Sequence, residues 1–162
     1  MTAPDWLQHI KWSAPHRLSD LIADMSLIST VEGFYAFNLD PGPLQIGRVL
    51  YIGETQQAGG LRSRLRAYLP VDPTKSREKH SGALWIHWHR IKDSLGPDAL
   101  TAPWSEISPN AKPTNDSKIY LRWSGWESGR QDRQAVETGL MQYYQAWYNK
   151  RQMKKEIGLE TI

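Results

Sequence analysis

Cysteine is absent from this chain of 162 residues. Its absence excludes a disulfide framework, a thiolate zinc site and a cysteine nucleophile, and it permits a reducing compartment. Nothing approaches the roughly 18 uninterrupted apolar residues that a membrane-spanning helix requires. The first residues do not combine basic side chains with an apolar stretch and a cleavage site, so a cytoplasmic protein is expected rather than a secreted or membrane one. Phenylalanine is scarce as well. Two Phe stand against eight Trp and seven Tyr, a balance that favours rings carrying a polar handle. The length suits one domain with a real core.

Charge of one sign is scarce only locally. The formal net charge is +3, yet residues 1–60 hold 3 basic and 6 acidic side chains, whereas residues 61–92 hold 8 and 2. The basic segment runs through Arg62, Arg64 and Arg66 to Lys75, Arg77, Lys79, Arg90 and Lys92. Such a cluster is the footprint expected of a phosphate-backbone binder; a solvated helix face is the alternative.

Periodicity supplies the elements. Leu18, Leu21, Ile22, Met25 and Ile28 recur at helical spacing and predict an amphipathic N-terminal helix over about 16–29. Residues 31–37 and 46–53, rich in aromatic and β-branched side chains, flank Asp40-Pro41-Gly42-Pro43 and predict an antiparallel hairpin. Centred near Pro43, it sets Tyr35 opposite Tyr51 on one face. Gly59-Gly60 precedes a helix of about 60–69 with Leu61, Leu65, Tyr68 and Leu69 inward and Arg64 one turn before Tyr68. Residues 81–92 read as a helix or an alternating strand, the helix being preferred. Four prolines mark 93–118 as a long loop. Ile119 to Trp123 forms a third strand, and Val136, Leu140, Tyr143 and Trp147 form the stripe of a last helix of about 130–147. Glu137 sits beside that stripe, where a carboxylate in apolar company needs a partner. The whole is an α+β chain: a small three-stranded antiparallel sheet flanked by helices, with a core of about 31–149 and a helical extension over 1–30.

Gly33-Phe34-Tyr35 and Tyr51-Ile52-Gly53 on the two strands, Arg64 and Tyr68 on the helix that follows, and Glu137 and Asn149 near the last helix resemble the motifs of the GIY-YIG endonucleases. Phe34 replaces the usual aliphatic residue. A lengthened loop at 56–60 leaves Arg62 as an alternative to Arg64, and the proline usual before the asparagine is missing. The resemblance implies a Mg²⁺- or Mn²⁺-dependent DNA endonuclease. In it Glu137 would ligate one cation, Arg64 would hold the scissile phosphate, and Tyr35 would act as general base with its phenol acidified by Arg64 and the metal. Tyr51 and Tyr68 would orient water and phosphate, Tyr68 rivalling Tyr35 as base, and Asn149 would be a neutral orienter. Arg62, Arg66, Lys75, Arg77 and Lys79 are the expected DNA contacts.

Blander readings stand beside these. Tyr35 and Tyr51 can be cross-strand aromatics, Arg64 a solvated charge, and Glu137 the partner of Arg133 one turn earlier. His87 and His89 share a face only on a strand, so a metal there needs the less favoured reading of 81–92. The tryptophans at 85, 88, 123, 126 and 147 fit the core or its rim. The alternative function is a catalytically weak or silent domain that binds nucleic acid or protein through the same face. The oligomeric state is left open.

Overall fold

The structure, a computed structural model, describes residues 4–56, 58–69, 86, 89–90, 118–126 and 130–149. A four-stranded antiparallel sheet is built from β1 (His16–Arg17), β2 (Gly33–Asn38), β3 (Val49–Thr55) and β4 (Tyr120–Gly125), in the order β1-β4-β2-β3. Among the described residues three α-helices accompany it: α1 (Leu18–Ala23), α2 (Gly60–Leu65) and α3 (Arg130–Tyr144). The class is α+β, as expected. The fourth strand was not expected: β1 is two residues long and pairs His16 with Leu121 and Arg17 with Tyr120, too short for an alternation signal. Among the described residues no helix is long and apolar enough to cross a membrane.

Side chains alternate across β2 and so divide the core. Tyr35 and Phe37 face one side, with Leu18, Leu21, Ile28, Leu50, Leu61, Leu65, Tyr68 and Trp123. Phe34 and Ala36 face the other, with Val49, Ile52, Val136, Leu140 and Tyr144. Helices α1 and α2 therefore cover one face and α3 the other, burying both surfaces of the central strand. All six residues of β2 are buried.

The hairpin register departs from the expected one. Tyr35 lies opposite Gly53, not Tyr51, and Phe37 opposite Tyr51; a bulge between Phe37 and Asn38 then brings Asn38 opposite Val49. Leu50 is the extra residue, which is why Leu50 and Tyr51 both pack on the first face while Val49 and Ile52 pack on the second. Tyr35 and Tyr51 still share a face, because a displacement of two residues preserves alternation.

The other boundaries differ by short turns. The predicted helix over 16–29 resolves into β1, α1 and a 3-10 turn at Met25–Leu27, whose start Asp24 caps by accepting from the Ser26 backbone N–H at 3.0 Å. Helix α2 gives way to a 3-10 turn at Arg66–Tyr68, and its inward residues Leu61, Leu65, Tyr68 and Leu69 are all buried as predicted. Helix α3 ends at Tyr144. Trp147 stands beyond it in a 3-10 turn, donating from its indole to the Gly47 carbonyl at 2.8 Å, so it does not extend the stripe of α3. Ile86, His89 and Arg90 have helical backbone, in keeping with the preferred reading of that segment.

Candidate active site

Three elements bring the aromatic residues together. Tyr35 occupies the middle of the central strand, between Gly53 of β3 and Trp123 of β4. A Cβ on Gly53 would run into the Tyr35 ring and hydroxyl, so glycine is what allows that ring to lie across β3. Gly60, with φ of +62°, turns the chain into α2 against the Thr30 carbonyl, where a side chain would be both strained and obstructed. The first N–H groups of α2 are then satisfied by the preceding chain: Leu61 donates to Val31 O and Arg62 to Ser29 O, each at 2.9 Å. This entry aims Arg64 and Tyr68 at the sheet.

There the Tyr35 and Tyr68 hydroxyls hydrogen-bond at 2.8 Å, and the Arg64 Nε donates to the Tyr35 hydroxyl at 3.5 Å. Tyr51 stacks on Tyr35 with ring centroids 6.5 Å apart, and its ring lies 6.2 Å from that of Tyr68. Arg62, the alternative to Arg64, points elsewhere: its Nε donates to Ile28 O at 2.9 Å and its Nη2 to Ser26 O at 3.1 Å. It ties α2 to the N-terminal segment, and Arg64 is the arginine that meets the phenols.

Depth separates these groups. Tyr35 and Tyr68 are buried, whereas Tyr51, Arg64 and Glu137 are partly exposed and form the accessible rim. The phenols are not acidified. Burial pushes the Tyr35 hydroxyl up, outweighing the hydrogen bond from Tyr68 and the nearby charge of Arg64, which pull it down. Burial likewise raises Tyr51 and Tyr68, each further raised by Tyr35. Arg64 thus pulls the Tyr35 phenol down as expected, but in the free chain burial outweighs that pull, and all three rings are neutral at pH 7.

Glu137 approaches from α3 at the edge of β3. Burial, reinforced by the Glu54 carboxylate, pushes its carboxyl up to about 7 against a hydrogen bond from the Glu54 backbone and the attraction of Arg64. It does not pair with Arg133, as the blander reading had it. Arg133 is buried and turned toward the strands, donating from Nε to Glu54, from Nη1 to Glu32 and from Nη2 to Gln56, each at 3.0 Å. That network draws on the approach to β2, the end of β3 and α3, and no sequence spacing announces it; Glu54, directly after Gly53, was the one available hint.

Asn149 closes on the strand beside the site. Its Oδ1 accepts from the Ile52 N–H at 2.9 Å and its Nδ2 donates to the Ile52 carbonyl at 3.0 Å. One amide thereby imitates a neighbouring strand on the open edge of β3, between Tyr51 and Gly53. Of the expected DNA contacts, Arg66 is exposed and Arg62 is engaged as described. Lys75, Arg77 and Lys79 lie outside the described residues, as do His87, Trp85, Trp88 and nearly all of 93–118. Trp123 is buried, and Trp126 and Trp147 pack at the core's edge.

A divalent cation fits this donor set in one way. No three His, Asp or Glu side chains converge as ligands among the described residues. Glu137 is a carboxylate whose burial is only partly compensated, and one added cation would relieve it, whereas Glu54 is already held by Arg133. Comparison with family models, with curated proteins and with solved structures finds no match to the chain.

Proposed function

We propose that the chain is a divalent-cation-dependent endonuclease of the GIY-YIG type that hydrolyses phosphodiester bonds in DNA. The observation that carries this reading is the meeting of Arg64 with Tyr35, Tyr51 and Tyr68 beside a half-buried Glu137 that forms no ion pair within the described residues, all five on motif positions. Arg64, always charged and partly exposed, holds the phosphate oxygens and stabilises the charge that builds on them during attack. Tyr35, buried and neutral, accepts a hydrogen bond from the Arg64 guanidinium and is itself held by the Tyr68 hydroxyl. Tyr51, the accessible phenol, aligns water or a phosphate oxygen. Glu137 holds the cation, Mg²⁺ or Mn²⁺; when bound, that ion supplies positive charge for the phosphate and acidifies water, so neutral phenols suffice as orienters. Asn149 keeps β3, and with it Tyr51, in place.

The test is nicking of supercoiled plasmid in Mg²⁺ or Mn²⁺. Glu137→Ala abolishes cleavage and leaves DNA binding intact; undiminished cleavage in that variant removes the mechanism. Salt-dependent binding of DNA with no cleavage under any divalent cation would instead mark a catalytically silent binding domain.

A further inference from the structure

Helix α3 carries Arg133 and Glu137 one turn apart, the first buried and the second partly exposed. Arg133 is 3 % exposed, and its planar fork is filled by Glu32, Glu54 and Gln56. Glu54 itself is 14 % exposed and, bonded to Arg133 at 3.0 Å, is held one helical turn from Glu137, near enough for its charge to act on that carboxyl. Two carboxylates thus adjoin at the end of β3. One is tied back by a guanidinium, and the other forms no ion pair within the described residues.

We infer that Arg133 is a positioning residue that occupies Glu54, so that Glu137 stands as the lone carboxylate for a cation. The inference rests on the reading of Glu137 as the cation's ligand. The physical basis is competition. A carboxylate pair at one point binds a hard divalent ion with several oxygens, and it would hold that ion more tightly and with fewer open positions than a single carboxylate does. Arg133 supplies the positive charge that Glu54 and Glu32 would otherwise seek from a metal, and its rigid fork turns Glu54 toward the helix. Removing it frees Glu54 to join Glu137. The ion then gains a protein ligand at the cost of positions for water and phosphate.

Mn²⁺ binding to the full chain without DNA, followed by electron paramagnetic resonance, tests this independently of cleavage. The wild type binds Mn²⁺ through Glu137 and Glu137→Gln loses it; equal binding by the two overturns the underlying cation reading. With that in place, Arg133→Met binds Mn²⁺ about tenfold more tightly than wild type, and adding Glu54→Gln removes the gain. Unchanged or weaker binding by folded Arg133→Met, or a gain that survives Glu54→Gln, overturns the role of Arg133. Should Arg133→Met fail to fold, Glu54→Gln alone decides. Affinity within about threefold of wild type supports the inference, and a loss of about tenfold shows Glu54 to be a ligand already and overturns it.

Discussion

Glu137 governs how the free chain responds to pH, since its carboxyl is raised from 4.5 to about 7 by burial first and by Glu54 second. The folded state therefore holds this proton more tightly than the unfolded state does. Ionising it costs stability: the cost is absent below about 4.5, grows through the interval, and is complete above about 7. Glu137→Gln, which cannot ionise, stabilises the metal-free protein at pH 8 by about 1–2 kcal/mol, discounted for partial exposure, or a few degrees in Tm, and has little effect at pH 4. Thermal unfolding at the two pH values checks this, and an equal shift at both would mean that ionisation is not the cause. Residue identity was legible in the sequence where spacing alone decides contact. Arg64 and Tyr68, four apart beside a stripe, do face the tyrosines. What spacing could not convey is depth: whether Arg64 acidifies Tyr35 depends on how far water is excluded, and burial wins.

At the scale of elements, the end of α3 sets the position of Asn149. The Ala146 N–H donates to the Met141 carbonyl at 3.2 Å while Gln145 adopts φ of +54°, a Schellman-type stop in which a glutamine occupies the left-handed place that glycine favours. The reversal swings the chain into the Trp147–Asn149 turn, where Asn149 closes on Ile52. The left-handed conformation costs a residue with a side chain roughly 1 kcal/mol, and glycine relieves it. Gln145→Gly is therefore expected to raise Tm by about 2–4 °C without altering the far-ultraviolet spectrum; a lower Tm would show that the glutamine side chain contributes more than the strain removes. Nothing in Gln145 announces a helix stop, which is why periodicity carried the predicted helix to 147. The same limit applies to the hairpin. Its two strands and turn were legible, but the bulge at Leu50 was not, because a run of Val49, Leu50, Tyr51 and Ile52 is apolar on both faces and leaves register to the packing.

Across the whole molecule, residues 4–30 contribute side chains to both halves of the core. Leu18, Leu21 and Ile28 are fully buried beside Tyr35 and Tyr68, and Ile10 is buried with Trp6, Leu7 and Trp12 around it on the opposite face. Trp6 lies on Gly139 of α3, where even a methyl group would displace it. Arg122 of β4 donates to Ser13 O at 2.9 Å, and Arg62 of α2 donates to Ile28 O at 2.9 Å, fastening the segment at two further points. Periodicity revealed the Leu18 and Leu21 stripe, but the seat of Trp6 depends on a glycine more than a hundred residues away, a relation one sequence does not express. Each buried Leu or Ile contributes about 1.5–3 kcal/mol, so losing Ile10, Leu18, Leu21 and Ile28 together removes a sum comparable to the about 5–15 kcal/mol of a whole domain. A chain started at residue 31, which keeps every proposed active-site residue, is therefore expected to show no cooperative thermal transition and no metal-dependent cleavage. A cooperative transition close to that of the full chain would mean instead that the core stands without these contacts, with α2 holding Arg64 in place without the bonds that Arg62 makes to Ser26 and Ile28.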